Sequence, residues 1–382
     1  MSHPFADVAI VGVHNTVQAR RLEGHDSESI ALEGALGALA DAGLAVEDVD
    51  AVVGQFAQDD ILSLGLGPCT RRPNSLGIAA FLDAAAMIAT DQADVVLIGA
   101  GGAGLYTERS ATAPWTRPAN ELVVGYGMFT AAEFALMARR HMITFGTTPA
   151  QLAHVAATIR NHGDVNPAAV YFGRGPFTAA DILASRMVAD PFHLLDCAMT
   201  AEGGCGLVLA RADRRRDVAA TPVWILGGAS DAYGPAYQLA PSWDLRSSSG
   251  GEPAGYVGRR AAARAFRTAG LAPADVDVAE FYDPFSFEII RQFEAFGFCA
   301  NGQGGDYVTS ASCIPFTTDG GTMSFSHAGI SAQQLQRVIR GVEQLRGTCA
   351  SDQVDGAAVA LCSNGGSGAL FTDVVILGSE RP

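Results

Sequence analysis

Short apolar runs alternate with amphipathic stretches along the first hundred residues. Residues 6–12, apolar but for Asp7, read as a first buried strand. Residues 27–42 carry apolar side chains at helical spacing, with Asp26 and Glu28 at the start and Gly43 at the end, the signals that open and close a helix. Residues 49–53 read as a second strand. Residues 75–89 are Ala-rich and almost free of charge, which predicts a buried helix. Residues 94–100 are then an apolar strand running into Gly101-Gly102. This strand–helix alternation predicts an α/β sheet.

The texture changes between residues 106 and 191. Helical segments (131–144, 148–161 and 179–187) are separated by Pro- and Gly-containing loops, and no clear strand is read among them. A helical insertion is expected there. Strand-like runs resume at 207–210 and 221–226. A helix at 262–269, a strand at 276–282, a late helix at 331–345 and two closing strands at 356–362 and 373–377 follow.

One stretch occurs twice. Ala38-Leu-Ala-Asp-Ala-Gly-Leu-Ala-Val-Glu-Asp-Val-Asp50 returns in register as Ala265-Phe-Arg-Thr-Ala-Gly-Leu-Ala-Pro-Ala-Asp-Val-Asp277, and each copy runs into a short apolar segment. The spacing is too long for a solenoid and indicates one α/β unit used twice. Two halves follow, 1–212 with the insertion at about 106–191, and 213–382, joined in the Arg-rich stretch 210–217. A duplicated fold places corresponding strand ends together, so chemistry is expected just after the repeats.

Charge narrows the partners. The net charge of −15 on 382 residues disfavours nucleic acid, and the arginines stand in short local runs. No run is apolar and long enough to span a bilayer, and the N-terminus shows no signal pattern. Seven cysteines without paired close spacing read as reduced thiols of a cytoplasmic protein, with no metal site.

Three loops in the second half gather reactive residues, each near the end of an apolar segment, where open α/β sheets bind ligands. They are Phe281-Tyr282-Asp283-Pro284-Phe285, Asp319-Gly-Gly-Thr-Met-Ser-Phe-Ser-His327-Ala-Gly329, and Leu361-Cys362-Ser-Asn-Gly-Gly-Ser-Gly368. Tyr282, His327 and Cys362 form a candidate acid/base set, and glycines such as Gly365 and Gly366 allow close backbone approach to a developing oxyanion. Tyr126 and His141 in the insertion are further candidates for lining a pocket. His162 reads as a helix-end residue, and 229–256 as a loop over the site or at a subunit contact.

These loops resemble those of thiolases. The glycine loop ending at His327 is similar to their Gly-His-Pro loop, and Cys362-Ser-Asn-Gly-Gly-Ser-Gly368 to their Cys-x-Gly-Gly-Gly-x-Gly loop. Tyr282-Asp-Pro-Phe285 stands where sterol-carrier-protein-type thiolases have His-Asp-Cys-Phe. Gly146-Thr-Thr-Pro-Ala-Gln-Leu-Ala153 and Ala184-Ser-Arg-Met-Val-Ala-Asp-Pro191 look like the same branch. The resemblance implies a five-layer fold of two like halves and a homodimer. It also implies that Asn74, in Asn74-Ser-Leu-Gly77, occupies the position of the nucleophilic cysteine. An amide cannot be that nucleophile. Cys69 and Ser75 are the nearby substitutes.

Among thiolase-like enzymes the set is most similar to aldolases of steroid side-chain degradation. The resemblance implies a non-covalent retro-aldol cleavage of a β-hydroxyacyl-CoA. Tyr282 would be the base, His327 would polarise the thioester oxygen, and Cys362 or a water would protonate the enolate carbon. Asn74, Asp283, Phe325, Gly365 and Gly366 would contact substrate, with Phe325 where the family pattern has a second tyrosine. Coenzyme A enters as part of the substrate, with no tightly bound cofactor. The alternatives are a thiolase-type acyltransferase with an atypical nucleophile, and a non-catalytic subunit that binds acyl-CoA or an OB-fold, zinc-ribbon partner.

Overall fold

The computed structural model describes residues 3–104, 130–216, 219–232, 256–365 and 371–382. In chain order, the first part contains β1 (Val8–Asn15), α1 (Ser27–Ala42), β2 (Ala51–Val53), α2 (Ala57–Leu64), β3 (Thr70–Arg72), α3 (Gly77–Ala89) and β4 (Val95–Gly102). Then come α4 (Thr130–Phe145), α5 (Pro149–Val165), α6 (Ala179–Ala184), a small hairpin of β5 (Met187–Ala189) and β6 (Phe192–His193), and β7 (Gly203–Arg211). The rest contains β8 (Val223–Ala232), α7 (Arg259–Ala269), β9 (Val278–Phe281), α8 (Ser286–Ala295), α9 (Gly304–Val308), α10 (Ile330–Arg346), β10 (Val359–Ser363) and β11 (Phe371–Gly378).

Nine strands form one sheet in the order β3-β2-β4-β7-β1-β8-β11-β10-β9. At its centre β1 and β8 meet through only two residue pairs, Ala9 with Trp224 and Ile10 with Val223. Outward from that seam the two arms repeat each other. The repeated Asp-Val-Asp segment shows why its last residue recurs. Asp50 accepts the N–H groups of Asp94 (2.9 Å) and Val95 (3.1 Å) at the start of β4. Asp277 accepts those of Ala358 (2.8 Å) and Val359 (2.9 Å) at the start of β10. In each arm one carboxylate pins the neighbouring parallel strand.

The layers follow from the burial pattern. α3 and α10 lie between the arms. Their Phe81 and Leu335 pack with Val96, Ile98 and Leu207 of one arm and with Val278, Ala360 and Val375 of the other. A fully buried phenylalanine such as Phe81 contributes about 1.5–3 kcal/mol through removal of its apolar surface from water. α1 covers the outer face of the first arm through Ala35 and Leu39, and α7 covers that of the second through Ala262 and Phe266. The result is the expected helix–sheet–helix–sheet–helix stack. α1 starts with a capping box between Asp26 and Ser29 and ends at Gly43 in the left-handed region. It lies so close to β1 that a Cβ on Gly12 would stand 2.1 Å from the Ala38 carbonyl oxygen.

The structure departs from the sequence reading in places. α3 starts at Gly77, not at Ser75. The segment expected as helix to 187 stops at Ala184, and residues 187–193 form the β5–β6 hairpin around Asp190-Pro191. α2, α8 and α9 are additional helices. The first part of the expected insertion, Tyr126 included, lies outside the described residues, as do Gly366 and most of 229–256. No helix among the described residues is long and apolar enough to cross a membrane.

Candidate active site

β9 and β10 are parallel neighbours, and their C-terminal ends open at one edge of the middle layer. Cys362 pairs with Glu280 and Ser363 with Phe281. The Tyr282 N–H then donates to the Ser363 carbonyl at 2.9 Å, so Tyr282 extends the strand by one residue. By strand alternation, the β10 residue level with Tyr282 and on its face is Asn364.

His327 arrives on the loop before α10. Its Nδ1 is 2.8 Å from the Met199 carbonyl oxygen. A carbonyl only accepts, so Nδ1 carries a hydrogen and Nε2 of the neutral ring presents a lone pair. That Nε2 stands 3.5 Å from the Tyr282 hydroxyl. With the ring neutral, Tyr282 is the donor and His327 the acceptor. Both side chains are buried but for a small accessible edge. Gln333, in the first turns of α10, donates Nε2–H to the Tyr282 oxygen at 3.3 Å.

The backbone beneath the histidine is a wide helical turn, Gly321–Phe325. Turns of this kind concentrate at functional sites. The Asp283 carboxylate fills its open end, accepting from Thr322 N (2.6 Å), Met323 N (3.0 Å) and Thr322 Oγ1 (3.1 Å). Burial raises the Asp283 carboxyl to about 7, against the opposing pull of Arg337 and the turn N–H groups. Gly321 has φ +58°, and a Cβ there would stand 2.3 Å from the Asp283 carboxylate. α5 closes the turn from the insertion side. Its Arg160, fully buried, donates to the carbonyls of Leu195 (2.7 Å), Met323 (3.0 Å) and Cys197 (3.0 Å).

The remaining candidates separate. Cys362 does not join Tyr282 and His327. It lies inside β10 and faces Gly341, two turns beyond Gln333 on α10, or roughly 12 Å along the helix axis. Burial pushes its thiol well above the ordinary range, with Glu280 adding to the shift. The physical reason is register: the strand continues to Ser363, so the loop begins after the cysteine. Asp283 is fully buried, with its oxygens turned to the turn rather than to an open site. Phe325 is buried at the end of that turn, and its carbonyl accepts from Val170 N at 3.1 Å. Gly365, at φ +59°, donates its N–H to Ser363 Oγ and accepts from Arg291.

Asn74 is exposed in the loop before α3, and the first N–H of that helix, at Gly77, donates to Ser331 Oγ at 2.9 Å. The starts of α3 and α10 therefore meet, and the Asn74 loop borders the same end of the middle layer as His327. Ser75 donates to Asp83. Cys69 points to the Thr70 carbonyl at the β3 edge. Burial raises all seven thiols above their ordinary value. His141, proposed from sequence to line a pocket, is instead buried between Glu294 (3.0 Å) and Thr147 (2.9 Å).

Sequence reasoning did not single out Gln333, Asn364, Arg160 or Met199. Met199 acts through its backbone and leaves no side-chain signal. Gln333 and Gln334 did carry one: a run of glutamines in a helix that is otherwise core-forming.

The family model described as thiolase C-terminal domain-like matches residues 247–379. The chain is 31% identical over 365 residues to the 17-hydroxy-3-oxo-4-pregnene-20-carboxyl-CoA lyase of Mycobacterium tuberculosis, covering 89% of this chain and 92% of that one. It is also 31% identical over 386 residues to an acetyl-CoA acetyltransferase of Methanothermobacter thermautotrophicus, covering 95% and 97%. Among solved structures, the Ltp2-ChsH2(DUF35) aldolase superposes with a TM-score of 0.83 at 27% identity, covering all of both chains. Five layers, the strand-end tyrosine and histidine, and relatives of this kind lead to one assignment: the chain belongs to the thiolase superfamily, in the sterol-carrier-protein-type branch near the steroid side-chain aldolases.

Proposed function

We propose that this chain is a carbon–carbon lyase that cleaves a β-hydroxyacyl-CoA with a steroid-like acyl group, and that Tyr282 and His327 move the proton. The observation that carries this reading is the fixed direction of their hydrogen bond. With Nδ1 held by Met199, His327 receives the Tyr282 proton at Nε2. Tyr282 in turn takes the proton of the substrate β-hydroxyl. The C–C bond then breaks, its electron pair passes to the thioester enolate, and a ketone departs. His327, now an imidazolium, presents Nε2–H to the enolate oxygen and neutralises it. The proton returns to the enolate carbon, which restores Tyr282 and His327 and leaves a shorter CoA ester.

This route changes two roles implied by the family resemblance. His327 is the final base before it is a donor, and Cys362 takes no part. Asn74 and Gly365 border the site and are proposed to contact the CoA portion. Gly366, beside Gly365 in sequence, shares that proposal. The acyltransferase alternative needs a reactive thiol beside the pair, whereas Cys69 lies at the β3 edge and Cys362 in the core. The solved aldolase is named with a DUF35 partner, and we infer a partner of that kind here, together with homodimerisation. We place the boundary between the halves at 212/213, beside the β1–β8 seam, and the chain in the cytoplasm.

The test is product analysis. Purified chain, with and without a DUF35-type partner, is given a β-hydroxyacyl-CoA of steroid type. Release of ketone and shorter CoA ester, without consumption of free CoA, is expected. Tyr282→Phe and His327→Ala should each reduce kcat about 100- to 10,000-fold, the range for removing acid/base function. Thiolysis that depends on added CoA would reject the lyase. Full activity in both variants would favour the non-catalytic subunit.

A further inference from the structure

We infer that Gln333 is a positioning residue that sets the direction and acidity of the Tyr282 proton; this rests on the proposed role of Tyr282. Three features carry it.

The first is contact. Gln333 Nε2–H donates to the phenolic oxygen at 3.3 Å while that oxygen faces His327 Nε2 at 3.5 Å. A donor on the phenolic oxygen stabilises the phenolate more than the phenol, which favours the anionic form. It also occupies a lone pair, leaving the hydroxyl hydrogen to point at the histidine.

The second is orientation. The Gln333 carbonyl Oε1 is buried and has no hydrogen-bond partner among the described residues. Buried acceptors are ordinarily paired, so what this position uses is the donating N–H and not the oxygen. The amide is committed to Tyr282 at the expense of its own oxygen.

The third is anchoring. Gln333 belongs to the first turns of α10, whose Ser331 accepts the Gly77 N–H at 2.9 Å. Further along, Gln336 donates to Gln18 (3.2 Å), which also accepts from Ser326 Oγ (2.6 Å) directly before His327. One helix thus fixes both the amide on Tyr282 and the segment that carries His327.

The experiment compares wild type, Gln333→Met and Gln333→Glu, each with 13Cζ-labelled tyrosine, using Tyr282→Phe to assign the Tyr282 resonance. The expected result is an upward shift of the Tyr282 titration by about one unit in Gln333→Met, and a larger shift in Gln333→Glu. The alkaline limb of the kcat profile, where Tyr282 loses the proton it must pass to His327, should move by the same amount while KM changes less than twofold. In Gln333→Met, 3-fluorotyrosine at position 282, with its more acidic hydroxyl, should bring the limb back. Unchanged Tyr282 titration in a folded Gln333→Met protein would overturn the inference, as would a loss of kcat with an unshifted profile. If wild type lacks lyase activity while the Tyr282 titration still follows residue 333, the inference stands and the proposed reaction fails.

Discussion

Asp283 governs the orientation of His327 through a chain of backbone hydrogen bonds. Its carboxylate accepts from Thr322 N at 2.6 Å; the Thr322 carbonyl accepts from Met199 N at 3.1 Å; and the Met199 carbonyl accepts from His327 Nδ1 at 2.8 Å. The aspartate that follows Tyr282 in sequence thereby holds the carbonyl that sets the tautomer of His327. Asp283→Asn turns an NH2 group toward N–H donors that need an acceptor. We expect kcat to fall about 10- to 100-fold with a smaller change in KM, as for a displacement of about 1 Å in a catalytic group. Gly321→Ala, which drives a methyl into the same carboxylate, should do likewise. Steady-state kinetics with a thermal melt checks this, and wild-type kcat in either variant would show that Asp283 does not position His327.

The thiols give a second test. Iodoacetamide reacts with thiolates, and burial raises all seven cysteines above their ordinary value. Native protein at pH 7 should therefore alkylate more slowly than a free cysteine and keep its lyase activity. Peptide mapping identifies what does react. Activity lost in step with modification of Cys69 would restore the acyl-enzyme reading.

How much of this was readable beforehand depends on what each residue contributes. The repeated Asp-Val-Asp was legible because Asp50 and Asp277 use their side chains for the same task in both arms. Tyr282 and His327 were legible because a strand end and a glycine loop mark them. Cys362 misled because glycines follow it closely, while the strand itself runs one residue further. A shift of one residue in a strand exchanges its faces, and a shift of two moves a side chain about 7 Å along it. The insertion hairpin at residues 187–193 was missed for a related reason: pairs this short leave too little alternation to read. Met199, which orients the histidine by its carbonyl, could not be found from side-chain chemistry.

Asp60 predicts a pH dependence of stability outside the site. It is buried in α2, and neither carboxylate oxygen has a hydrogen-bond partner among the described residues. Burial first, then Asp59 and Glu28, raise its carboxyl from 3.8 to about 7. The folded state thus holds the proton where the unfolded chain has lost it. Stability falls as pH rises from about 4 to 7 and levels off above, by about 4 kcal/mol at most. Asp60→Asn removes this slope. Urea denaturation at several pH values should show the variant gaining on wild type across that window; parallel curves would rule out a buried neutral acid.

Arg337 makes the opposite case, a buried charge that faces an opposite one. It is inaccessible, donates to both Asp319 oxygens at 2.7 Å, and stands 4.0 Å from Glu280. Asp319 in turn accepts the Gly321 N–H at 2.8 Å, so the ion pair reaches the turn under His327. Arg337 holds the Asp319 carboxyl below its ordinary value despite burial, whereas burial and the Asp319 charge raise Glu280 to about 7. Replacing the pair with apolar residues can be neutral, but removing one partner strands a buried charge and costs about 3–5 kcal/mol. Arg337→Met should therefore destabilise by that amount, most strongly at high pH where both acids ionise. Adding Asp319→Asn should recover part of the loss, because it removes the stranded charge. Chemical denaturation of the two single variants and the double variant measures the coupling. If the double variant is no more stable than Arg337→Met, the pair does not hold the turn.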